Sequence, residues 1–105
     1  MDMNDYQKSA AETAIYPAER GLEYTALGLV GEAGEYANKV KKVLRDGASA
    51  YDVLAFADEL GDVLWYVARA ADEIGVDLEA IAKGNLLKLA QRRTFGTLKG
   101  SGDDR

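Results

Sequence analysis

A single proline, Pro17, stands among 105 residues that include 17 alanines. Nothing after position 17 therefore forbids a helix by ring geometry, and the residue with the best helix propensity recurs throughout. No stretch alternates apolar and polar residues with the period of two that a half-buried strand requires. The chain is expected to be all-α.

Four helices follow from the periodicity. The first is predicted from Asn4, as N-cap, to Ile15, ended by Tyr16-Pro17 because the residue before proline leaves the helical region. The second is predicted over Leu22 to Arg45, with Leu22, Ala26, Leu29, Val30, Ala33, Tyr36, Ala37, Val40 and Leu44 as its stripe and Asp46-Gly47 as its stop. The third starts within Ser49 to Asp52 and runs to Ile74, closed by Gly75. The fourth is capped by Asp77 and reaches Arg93, burying Leu78, Ile81, Ala82, Leu86, Leu89 and Ala90. The third helix is apolar on more than one face, around Leu64, Trp65 and Val67, so its outer side is expected to be covered by another subunit. The architecture is an oligomeric four-helix bundle of residues 1–93, followed by a Gly-rich tail, 94–105, whose composition does not favour packing.

Cysteine and histidine are both absent. That excludes disulfides, thiolate or imidazole metal sites, Ser-His-Asp triads and Cys-His dyads. Catalysis is left to carboxylates, amines, guanidinium groups, hydroxyls or a metal held by oxygen. The balance of 13 basic against 18 acidic residues gives a net charge of −5, which argues against binding long nucleic acid. The longest apolar run, Val63 to Ala68, is far short of a bilayer span, and the first 17 residues have no signal-peptide core, so a cytoplasmic protein is expected.

Glu32 and Glu35 are three residues apart, as are Glu59 and Asp62, which places each pair on one helix face. These acids border apolar stripes: Leu29 and Tyr36 flank Glu32, and Phe56 and Val63 flank Glu59. In an antiparallel hairpin Glu35 lies ten residues before Arg45 and Asp62 ten residues after Asp52, so the four carboxylates come to one level. Gly28, Gly31, Gly34 and Gly61 sit beside them, where small residues permit close packing or ligand approach. Four such charges raise one another's pKa unless a cation neutralises them, and an all-oxygen site suits Mg²⁺ or Mn²⁺. The competing reading is that these are solvated acids paired with Lys39, Lys42 and Arg69.

The run Gly28-Leu29-Val30-Gly31-Glu32-Ala33-Gly34-Glu35, then Lys39 to Val43, then Asp58-Glu59-Leu60-Gly61-Asp62-Val63-Leu64-Trp65-Tyr66, resembles the paired acidic motifs of the MazG-like nucleoside triphosphate pyrophosphohydrolases. The resemblance extends from Tyr6-Gln7 to the end of the fourth helix. The ending Gly96-Thr97-Leu98-Lys99-Gly100-Ser101-Gly102-Asp103 is similar to the tail of one small MazG-like subgroup. The resemblance implies a homo-oligomer, dimer or tetramer, that cleaves a nucleoside triphosphate between its α and β phosphates with Mg²⁺, giving a monophosphate and pyrophosphate. It also implies that Glu32, Glu35, Glu59 and Asp62 are the metal ligands. Some relatives carry a further glutamate where this chain has Gly31, which leaves Glu32 as the general base.

Other residues are candidates for holding substrate. Lys39 and Lys42, one and two turns past Glu35, would meet the β and γ phosphates, or else serve as helical ion-pair partners. Trp65 would wall the base by stacking, or else belong to the core or a subunit interface. Asn85, Lys88 and Arg92 share one face of the fourth helix, where the resemblance places an asparagine near the phosphates. Lys99 and the tail glycines would close over the phosphates through backbone N–H groups. The alternative to an enzyme is a non-catalytic helical module that binds metal or nucleotide as a sensor or assembly partner.

Overall fold

The structure, a computed structural model, describes residues 1–103 and contains four α-helices and no strand among them. α1 spans Met3–Ala11, α2 Gly21–Asp46, α3 Val53–Glu73 and α4 Leu78–Thr94, with short 3-10 turns at Ala18–Arg20 and Ala48–Ala50. The all-α expectation holds, and α2, α3 and α4 begin and end close to their predicted limits.

α1 differs from its prediction at both ends. Asp2, not Asn4, is the N-cap: its carboxylate accepts the Asp5 N–H at 2.8 Å and the Asp5 carboxylate accepts the Asp2 N–H at 3.1 Å, a reciprocal capping box. The helix stops at Ala11, four residues before Ile15. Side-chain contacts with α3 account for the early stop. The Thr13 hydroxyl donates to the Ala10 carbonyl at 3.1 Å and accepts the Trp65 indole N–H at 2.9 Å, while the Tyr16 hydroxyl donates to Glu73 at 2.9 Å and accepts from Arg69 at 3.1 Å. These contacts draw residues 12–17 across α3 rather than along the axis of α1.

α2 and α3 form the body of the molecule as an antiparallel hairpin. Tyr36 meets Phe56 edge-on at 5.9 Å near the loop, and further along Gly28 lies against the ring of Tyr66. Only a residue without Cβ fits at Gly28, because the ring occupies the place a methyl group would take. Asp52 caps α3 by accepting the N–H groups of Leu54 and Ala55 at 3.1 and 3.2 Å. At its other end Gly75, with φ 73°, lets the Val76 N–H return to the Ala71 carbonyl at 2.9 Å.

α4 is attached by its first turn. Leu78 is buried with Ala10 and Ala68, and Tyr6, Trp65 and Val67 pack around them. The expected side-chain cap from Asp77 is not made. Instead Gln7 accepts the Leu78 N–H at 2.7 Å and Asn4 accepts the Glu79 N–H at 3.2 Å, so α1 caps α4. Beyond that turn α4 leaves the body, and most of its predicted buried stripe is uncovered: Leu86 is 67% exposed, and Ile81 and Leu89 are also exposed. On α2, Leu27 and Val30 are 75% and 72% exposed. The single chain is therefore open rather than a closed bundle. Its surface is 7608 Å², against about 5,700 Å² for a folded monomer of this mass, and its radius of gyration is 16.4 Å against about 13 Å.

Candidate functional site

The hairpin brings three of the four predicted acids together. Glu32 from α2 and Glu59 and Asp62 from α3 each offer a carboxylate oxygen, and these oxygens lie within 4.8 Å of one another. Glu32 and Glu59 are half-buried and Asp62 is exposed. Antiparallel packing explains the meeting: Glu32 lies one turn beyond Gly28, where Tyr66 presses, and Asp62 lies one turn before Tyr66 on the facing helix. Glu35 is exposed, one turn nearer the loop, and stands outside this group.

The electrostatics match the crowding. Glu32 has its pKa raised, first by loss of water around it and then by the charges of Asp62, Glu59 and Glu35. Glu35 thus acts on the cluster through its charge. Lys39 reaches across from α2, its Nζ 3.5 Å from Glu59 Oε1, so its partner is on the opposite helix rather than the neighbouring Glu35. Arg69 takes no part in the cluster: it is buried among Tyr16, Asp72 and Glu73. Beside the cluster, toward the loop, a cavity of about 220 Å³ is lined by Lys39, Lys42, Asp46, Asp52 and Phe56.

Tyr66 stood in the second acidic motif of the sequence with no role assigned to it. Its ring fills the gap left by Gly28, and its hydroxyl pKa is raised by burial, by a hydrogen bond with Tyr24 and by the charges of Tyr24, Glu32 and Asp62, which marks it as a neighbour of the acids. The signal available was the pair of spacings: glycine four residues before Glu32 and tyrosine four residues after Asp62.

The remaining candidates lie elsewhere in this chain. Trp65 is occupied with Thr13 and the core at α1. Asn85 is exposed on α4. Lys88 and Arg92 both bind the carboxylate of Asp103, at 2.8 and 3.0 Å, so residues 95–103 fold back on α4 instead of onto the acids. Lys99 is exposed on that segment.

The donor set suits a hard divalent cation. Three carboxylates on two helices, one of them raised in pKa by loss of water and then by its acidic neighbours, supply oxygen ligands and negative charge that a cation would offset. Among the described residues no helix is long and apolar enough to cross a membrane.

Among known proteins, the chain is 46% identical over 114 residues to the Gene 37 protein of Mycobacterium phage L5, with the whole of both chains aligned. No solved structure matches it. The profile of the MazG nucleotide pyrophosphohydrolase domain matches residues 20–95, which include the whole of α2, α3 and α4 and both acidic motifs. The chain belongs to the MazG nucleotide pyrophosphohydrolase domain family.

Proposed function

We propose that this protein is a homo-oligomeric, Mg²⁺-dependent pyrophosphohydrolase that converts a nucleoside triphosphate into its monophosphate and pyrophosphate. The observation that carries the proposal is the convergence of Glu32, Glu59 and Asp62 across the hairpin in a chain of this family. These three residues would hold Mg²⁺, or Mn²⁺ in its place, with Glu35 adding charge from the next turn. When bound, the ion supplies charge neutralisation for the phosphates and lowers the pKa of water beside the α phosphorus.

The chain's own groups supply the rest. Glu32, which would offer one carboxylate oxygen to the ion, would take the proton lost by the attacking water on the other. Lys39 exchanges its contact with Glu59 for a phosphate oxygen, and Lys42 lines the same cavity one turn on. Phe56, at the wall of that cavity, keeps its inner side dry. Tyr66 fixes the spacing of the two helices and hence of the acids.

The homo-oligomeric state rests on surface arithmetic. The chain exposes roughly 1,900 Å² more than a compact monomer of its mass, and a specific interface removes about 800 Å² per partner. Leu27, Val30 and Leu54 are large, apolar and more than half exposed on the hairpin. A second copy seated there closes the bundle.

Hydrolysis in ¹⁸O-labelled water tests the reaction. Mass spectrometry is expected to find label in the monophosphate and none in pyrophosphate, with turnover that stops in EDTA and returns with Mg²⁺ or Mn²⁺. Orthophosphate with a diphosphate product overturns the reading, as does label in pyrophosphate. A panel of ribo- and deoxynucleotides, read by pyrophosphate release, identifies the base and sugar.

A further inference from the structure

Among the described residues, one cation touches the acid cluster. Lys39 crosses from α2 and sets its Nζ 3.5 Å from Glu59 Oε1, joining a side chain that is 37% exposed to one that is 15% exposed. The contact is loose. A charge-assisted hydrogen bond closes to about 2.7–2.9 Å, as the Arg45–Asp46 pair does at 2.7 Å, whereas Lys39 stops short of that range. The ammonium also has somewhere to go, because its flexible stem borders the cavity that Lys42, Asp46 and Asp52 line on the side toward the loop.

We propose that Lys39 is the resident counter-ion of the metal-free acids, and that a divalent cation takes its place and drives the ammonium off Glu59 into the neighbouring cavity. Glu32, Glu59 and Asp62 offer three oxygens within 4.8 Å of one another. An ammonium held by one of them leaves the other two without a partner, while a divalent ion gathers all three and brings a double charge. With that ion in place, an ammonium on Glu59 faces a like charge a few ångströms away, in a half-buried setting where repulsion is weakly screened.

Loading the acids therefore changes the cavity beside them, which receives the Lys39 ammonium only once the ion is bound. The choice of a divalent ion as the incoming cation rests on the metal reading of the three acids. The contact between Lys39 and Glu59 stands apart from it.

Competitive acetylation, mapped by peptide mass spectrometry on the unaltered protein, reads the exchange without nucleotide or turnover. Lys39 is expected to label severalfold faster in Mg²⁺ than in EDTA, with Lys83, paired with Glu79 on α4, as the unaffected standard. Calorimetric titration with Mn²⁺ gives a second measure. If the ammonium occupies Glu59 for about two-thirds of the time, Lys39→Met binds Mn²⁺ about threefold more tightly than the unaltered protein. Lys42→Met removes a charge from the same cavity but no contact with the cluster, so its gain is expected to be smaller. Unchanged labelling of Lys39 in a protein that does bind Mn²⁺ overturns the exchange and leaves the metal site standing, and so does a gain in Lys39→Met no larger than that in Lys42→Met. Absence of Mn²⁺ binding to both the unaltered protein and Lys39→Met overturns the metal site, and the exchange with it.

Discussion

The α2–α3 hairpin and the α4 arm are made from similar residues and are completed in opposite ways. In the hairpin two long helices face each other, and charged groups meet across the seam: Glu32 meets Glu59 and Asp62, and Lys39 meets Glu59. In the arm only the first turn is anchored, by Leu78, Gln7 and Asn4, and the later leucines face outward. The hairpin gathers its three acids within one chain, while its outer face leaves Leu27, Val30 and Leu54 uncovered. The arm leaves Leu86 and Leu87 uncovered and joins its cations, Lys88 and Arg92, to Asp103.

The largest effect is expected from neutralising the acids. Glu59→Gln or Asp62→Asn should lower turnover on the order of a hundredfold or more, as loss of one electrostatic group at a reacting centre does. Asp62→Asn should not lower the melting temperature of the metal-free protein, since it removes repulsion from a crowded group, whereas Glu59→Gln also gives up the contact with Lys39. A clear fall in that temperature marks the acid as structural.

The oligomer comes next. Val30→Lys places a charge on an exposed apolar site of α2. In a monomer such a change moves stability by no more than about 0.5 kcal/mol. At a subunit interface it dissociates the assembly, and sedimentation at micromolar concentration distinguishes the two. A chain that is already monomeric before the substitution refutes the interface.

Two glycines give a smaller and sign-sensitive comparison. Gly28→Ala drives a methyl group into the Tyr66 ring and should cost about 1–3 kcal/mol in chemical denaturation. Gly31→Ala, three residues on, meets nothing within 4 Å and should stabilise by about 0.5–1 kcal/mol through helix propensity. A loss at Gly31 shows that a second chain packs there.

The smallest effect concerns pH. The folded-state pKa of Glu32 lies above its unfolded value, so its contribution to stability is fully present below the unfolded pKa and is lost as pH rises through the folded one. Glu32→Gln should therefore raise the apo melting temperature at pH 7 relative to the unaltered protein. That gain should shrink on acidification into the carboxylate range, and differential scanning calorimetry across that range reads it. An unchanged gain down to pH 3 removes Glu32 titration as its source.

What was legible in the sequence follows the range of the forces involved. α2 and α3 were readable because long periodic stripes and the stops at Gly47 and Gly75 are local properties. The meeting of Glu32, Glu59 and Asp62 was readable because a short loop fixes the register of a hairpin. Three features were not. α1 ends early because Thr13 and Tyr16 bind residues some 50 positions away. Asp77 looks like a cap, but Asn4 and Gln7 take its work from across the chain. The arm has the stripe of a bundle helix because periodicity reports that a face will be covered, not which chain covers it.

The capping of α4 by α1 also joins the two ends of the chain into one cooperative unit. Gln7 accepts from Leu78 at 2.7 Å and donates to Asp72 at 2.7 Å and to the Val76 carbonyl at 3.0 Å, so one side chain holds the end of α3, the turn after it and the start of α4. If α1 detaches, the first N–H groups of α4 lose their acceptors, at a cost of about 1–3 kcal/mol for each left buried without a partner. α1 and the first turn of α4 are therefore expected to exchange their amide hydrogens together, through a shared opening, although more than 70 residues separate Asn4 from Leu78. Gln7→Ala should accelerate exchange in both helices and spare the α2–α3 seam.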